Sequence, residues 1–122
     1  MEDFIGSCPT GRNAAQRVRT ALHQPTRALQ AVPALSEAMV RVLVCGQPSI
    51  RPMLVRFRDA MVDAIAQAIE PNGPTTADIG AARTPQRVWF AALIGCATGL
   101  EPPQSVDRAV ADAVALLLPA HT

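Results

Sequence analysis

The chain has 122 residues, about one domain's worth, and folding at this size buries roughly two-thirds of the surface the unfolded chain exposes, enough for one core and not for two. Hydrophobic residues make up 49% and charged residues 17%, which argues against a disordered tail, and an aromatic content of 3% makes the core aliphatic. A net charge of +1 argues against a dedicated nucleic-acid binder, which would carry a clustered basic footprint.

Proline and glycine punctuate the chain into segments with helical apolar spacing, and none reads convincingly as a strand. Residues 1–12, with Gly6, Pro9 and Gly11, read as a loose leader. Asn13 is placed to cap a first helix to about Ala31, its inner face formed by Val18, Leu22, Pro25 and Leu29. Pro25 lacks the donor for the carbonyl of Ala21, so a kink or break is expected there. A second helix is predicted from Pro33 to Cys45, with Gly46 in the left-handed position just past its end. Its MVRVLV stretch is apolar nearly all round, which predicts a central position.

Pro48 and Ser49 open a third helix to about Ile69, in which Leu54, Phe57, Met61, Ile65 and Ala68 keep one apolar face. The turn cluster EPNGPTT follows, with Thr76 as the next cap. Pro85 leaves two versions open beyond it: one helical stretch that contains it, or a short helix near 77–83 and a longer one near 85–99. After Gly99 and Pro102-Pro103, Ser105 is predicted to cap a last helix to about Leu118, with Asp107 favourably placed in its first turn. The expected fold is all-α: one domain over 13–122, a bundle of about five to six helices.

Charge is divided between the halves: residues 1–58 carry eight Arg against three acids, +5, and residues 59–122 carry three Arg against seven acids, −4. Cys8, Cys45 and Cys96 are an odd number at wide spacing, indicating neither a disulfide scaffold nor a zinc site and pointing to a reducing, cytoplasmic compartment. No apolar run reaches 18 residues, so no membrane span is expected. No catalytic constellation emerges, because His23 and His121 lack partners in sequence and Cys96 lacks a local base. The chain is therefore read as a non-enzyme without cofactor or metal.

The order of helices resembles the C-terminal ligand-binding and dimerisation domain of TetR-type transcriptional repressors, most clearly over RVWFAALIGCATGLEPPQSVDRAVADAVALLL. The upstream run NAAQRVRTALHQPTRALQAVPALSEAMVRVLV is similar to the KstR-like group, actinobacterial repressors of sterol and lipid catabolism. The resemblance implies a cytoplasmic bacterial regulator whose core binds a hydrophobic effector of lipid, sterol or acyl-CoA type and pairs with a second copy. Nothing before Asn13 supplies a helix-turn-helix head, so this chain is expected not to contact DNA directly. The alternative reading is a headless interaction protein that heterodimerises with an intact repressor and sequesters it.

For the effector pocket the candidates are Leu22, Leu29, Met39, Leu43, Phe57, Met61, Ile65, Trp89 and Leu93, which point between helices and would otherwise serve as plain core. Arg17, Arg27 and Arg41 are candidates to meet the phosphates of a coenzyme A ligand at the pocket mouth. For the dimer interface, Phe90, Ile94, Val106, Val110, Val114 and Leu117 form more apolar surface than a monomer comfortably exposes, unless the first three helices cover it. Two C-terminal helices from each copy would then form an intermolecular four-helix bundle.

Overall fold

The computed structural model of the chain describes residues 13–46 and 48–118, and the described residues form five α-helices and one 3-10 turn with no strand. The predicted leader 1–12 and His121 lie outside the described residues. Helix α1 spans Ala14–Gln30, and the side-chain oxygen of Asn13 accepts from the Gln16 N–H at 2.9 Å, as its capping position predicts. The expected break at Pro25 does not occur: α1 is one helix from end to end. Its buried face is Ala14, Ala15, Val18, Leu22 and Thr26, so Thr26 takes the inward place assigned to Pro25. Packing of that face along its length outweighs the roughly 3 kcal/mol that an interior proline costs.

Helix α2 is Pro33–Cys45, closed by Gly46 at φ 63, where a residue without Cβ is needed. It is not central. It packs on α1 and α4, and none of its described side chains joins the buried core. The MVRVLV run thus lies on an outer helix, with Val40 and Val42 half-buried and Arg41 exposed.

A 3-10 turn at Pro48–Ile50 leads into α3, Arg51–Ile69. Only its C-terminal half is deeply buried, through Val62, Ile65, Ala66, Ala68 and Ile69, while Met53 on its first turns is exposed. Helix α4, Thr76–Ala97, starts one residue earlier than expected because Thr75 is the cap. The Asp78 N–H donates to Thr75 Oγ1 at 3.2 Å and the Thr75 N–H donates to Asp78 Oδ2 at 2.9 Å, a reciprocal capping box. Helix α4 also runs unbroken through Pro85, whose ring is fully buried between turns that carry Ala82 and Trp89 into the core. Its end is a Schellman closure: Gly99, at φ 80, donates to Cys96 O and Leu100 donates to Gly95 O.

Helix α5, Ser105–Leu117, begins without the predicted serine cap, since Gln104 is the boundary residue and makes no side-chain bond there. Asp107 nonetheless sits in the first turn, where the helix dipole favours an acid. Helices α1, α3, α4 and α5 form a ring in which each packs on two neighbours, α1 on α3, α3 on α4, α4 on α5 and α5 back on α1. Val18, Leu22, Ile65, Trp89, Val106 and Val114 meet inside the ring and are sealed from solvent. No described helix is long and apolar enough to cross a membrane.

Candidate functional site

The centre of the bundle is polar at one point. The Trp89 indole Nε1–H donates to Thr26 Oγ1 at 2.8 Å, and the Thr26 hydroxyl donates in turn to the Leu22 carbonyl at 2.6 Å. The chain of bonds satisfies the donors of both side chains and joins α1 to α4 across the ring. Phe57 leans on the indole with ring centroids 6.1 Å apart.

Around this point the predicted pocket residues divide. Leu22, Ile65 and Trp89 are close-packed core, and Met61 packs against them. Leu29, Met39 and Leu93 do converge, together with Phe90 and Ile94, but on a void of about 20 Å3, room for one water. The side chain of Leu43 lies outside the described residues. Among the described residues, Leu22, Ile65 and Trp89 thus fill space inside the bundle that periodicity alone leaves open for a pocket.

The open apolar space lies one helix face away. The seam between α3 and α4 forms a cleft of about 420 Å3, with walls from Leu54, Val55, Phe57, Phe90, Ala91 and Ile94. That volume is within the range of small-molecule sites, and the lining is mostly apolar with few polar groups, as such sites are. Arg51, Arg58, Gln86 and Arg87 edge it. Helix periodicity explains the lining: Leu54, Val55 and Arg58 share one face of α3, and Gln86, Phe90 and Ile94 recur once per turn on α4. Phe57 was the single residue of the predicted pocket that the structure places here. Phe90 and Ile94, predicted for an interface, form much of the far wall, and Gln86 was not anticipated because a polar residue in a helix reads as a solvent-facing one.

Past Arg58, Gln86 and Arg87 the same seam continues as a polar groove of about 430 Å3, which also draws on Asp59, Asp63 and Arg83 over a floor of Val62 and Ile79. A third hollow, of about 580 Å3 between α1 and α5, is open and mixed in character, with His23 Nδ1 3.5 Å from Asp107 Oδ1 at its edge. Both of those side chains are about half exposed.

Other predicted residues take structural places. Arg17 does not reach for a phosphate: its Nε donates to the Ala68 carbonyl at 2.7 Å and its Nη2 to the Ile69 carbonyl at 3.1 Å, closing the C-terminal end of α3. Arg27 and Arg41 are exposed. Val106, Val110 and Val114 are at most 3% exposed and face the chain's own core, so the α5 valine stripe is not a free interface. The first helix and α4 pack on α5, where the expectation had named the first three helices as its cover. Leu117 is 43% exposed, and Leu116 and Leu100, not predicted, are each 81% exposed. The Cys96 thiol points at the Pro102 carbonyl, 3.2 Å away, and burial together with the nearby Glu101 carboxylate pushes its pKa above the ordinary 9.0. A thiol held protonated in that way is a poor nucleophile. Among the described residues no group of three or more His, Cys, Asp or Glu side chains is placed to hold a metal ion.

The described residues thus form a five-helix core with a mostly apolar inter-helix cleft, a place where small molecules commonly bind. The family model for the Tetracyclin repressor-like C-terminal domain matches residues 11–117, and the chain belongs to that family. It is similar to the HTH-type transcriptional repressor KstR of Rhodococcus jostii (strain RHA1), with 31% identity over 116 residues. The match covers 95% of this chain and 55% of that repressor, so the chain spans about half the length of the curated relative it matches.

Proposed function

We propose that this chain is the effector-sensing and dimerisation core of a TetR-family transcriptional regulator, that its effector is a hydrophobic molecule of lipid, sterol or acyl-CoA type, and that the α3–α4 cleft receives it. The observation that carries the reading is the cleft itself, a mostly apolar space of about 420 Å3 between α3 and α4. A ligand seated there touches α3 and α4 together and favours whichever spacing of the two fits it. By differential affinity alone it can then shift the population of the core between two arrangements.

The same reading pairs two copies through the exposed leucines at the end of α5, Leu116 and Leu117, with Leu100 nearby in sequence at the end of α4. Large apolar side chains left in solvent are a common mark of a partner surface. A native mass spectrum of the purified chain tests both halves at once. A dimer carrying a lipid-sized adduct is the expected result, and a bare monomer that binds none of a panel of fatty acids, sterols and acyl-CoA esters removes the reading.

A further inference from the structure

Resting on the reading of the α3–α4 cleft as the effector site, we propose that its ligand is an unbranched aliphatic carboxylate, with the tail in the cleft and the head at the Arg58–Gln86–Arg87 boundary. Three observations converge on this class. The first is shape. The apolar cleft and the polar groove share Arg58, Gln86 and Arg87, so the seam is one slot that changes character at a single line of residues. From Gln86 to Ile94 along α4 is roughly 12 Å at the rise of an α-helix. A slot of that length, apolar along Leu54, Phe90 and Ile94 and bordered by the Arg58–Gln86–Arg87 line, with Arg51 two turns away along α3 at its other border, matches an extended chain with a polar terminus.

The second is Gln86. It is 3% exposed and makes no side-chain hydrogen bond among the described residues, yet no described polar side-chain atom is both fully buried and unpaired. Its amide therefore opens onto the spaces it lines. An amide that opens onto such a space has an Nε2–H from which a ligand oxygen can accept in place of solvent.

The third is charge. Among the described residues Arg51, Arg83 and Arg87 have no ion-pair partner, and Arg58 meets only its neighbour Asp59, at 3.3 Å, with both side chains more than half exposed. The groove sets Arg58, Arg83 and Arg87 against Asp59 and Asp63, three positive charges and two negative, a net of +1. One carboxylate completes that balance. A head with several phosphates would meet the two aspartates, so the same residues that attract a monoanion select against a polyanion.

The test is calorimetric titration of the purified chain with decanoate, decanol and decanoyl-CoA. Decanoate should bind about tenfold more tightly than decanol, the size of effect expected for a charge-assisted hydrogen bond. Decanoyl-CoA should bind no better than decanoate. Gln86→Leu, and separately the double variant Arg58→Gln/Arg87→Gln, should bring decanoate down to the affinity that decanol shows for the same variant. Equal binding of decanoate and decanol by the wild-type chain, a preference that survives those substitutions, or tighter binding of decanoyl-CoA overturns the proposed class. In each of those cases the cleft reading still stands if Ile94→Glu abolishes binding of both simple ligands. If neither decanoate nor decanol binds, or Ile94→Glu changes nothing, the cleft reading fails and this proposal falls with it.

Discussion

Trp89 and Thr26 meet across the bundle, indole nitrogen to hydroxyl oxygen at 2.8 Å, with both side chains sealed from solvent. Thr26→Val keeps the shape and removes the acceptor, leaving the indole N–H buried without a partner. The expected loss is about 1–3 kcal/mol of folding stability, with Thr26→Ser losing clearly less because the oxygen remains. Urea denaturation followed by the fluorescence of Trp89, the chain's single tryptophan, measures both variants. Equal stability of Thr26→Val and wild type would mean that the bond contributes nothing net.

Arg17 ties α1 to the end of α3 by donating to two carbonyls that the helix itself leaves without donors. The guanidinium is partly exposed, which reduces the value of a charged hydrogen bond, so Arg17→Ala is expected to cost about 1 kcal/mol. Ligand affinity should be unaffected, because Arg17 does not line the α3–α4 cleft. A stability loss measured in urea beside an unchanged titration with a hydrophobic ligand confirms the assignment. A lowered affinity at full stability would return Arg17 to the pocket mouth.

These two relationships show what the sequence makes readable. Helix ends were legible where a single residue type dominates the local chemistry: Asn13 at the start of α1, Pro33 and Gly46 around α2, and Gly99 after α4. The cap of α4 was placed one residue late because adjacent threonines, Thr75 and Thr76, offer the same hydroxyl, and only Asp78 three residues on selects the first. Local cost at Pro25 argues for a kink or a break and leaves two versions open at Pro85, and tertiary packing keeps each helix continuous. Apolar stripes revealed that a face is covered but not by what. Val106, Val110 and Val114 could meet a second copy or their own bundle with equal periodicity, and the bundle has them. Gln86 was invisible for the opposite reason, being polar on the stripe that continues through Phe90 and Ile94.

The burial of Val110 separates folding from assembly. At 3% exposed it faces the core, so Val110→Asp should unfold the monomer, with a loss of about 3 kcal/mol or more from an unpaired buried charge. The double variant Leu116→Glu/Leu117→Glu changes exposed side chains and should leave the helical circular dichroism intact while dissociating a dimer. Light scattering and thermal melts on the two variants separate the effects. A folded, monomeric Val110→Asp together with a dimeric leucine variant would instead place the interface on the valine stripe.

Cys96 makes the core sensitive to alkaline pH in a defined direction. Burial and the Glu101 carboxylate raise its folded-state pKa above the ordinary 9.0, so the folded chain holds the thiol proton more tightly than the unfolded chain does. The linked stability is fully present below about pH 9 and falls as pH rises from the unfolded value through the folded one. Replacing the thiol removes this dependence, so Cys96→Ala should flatten the decline in melting temperature above pH 9 relative to wild type. The same protonation predicts slow alkylation. At pH 8 iodoacetamide should modify the exposed Cys45 well before the half-buried Cys96, whose Sγ is also engaged with the Pro102 carbonyl. Peptide mass mapping of a time course reads the order directly, and faster labelling of Cys96 would show that the turn after α4 opens more readily than its Schellman closure implies.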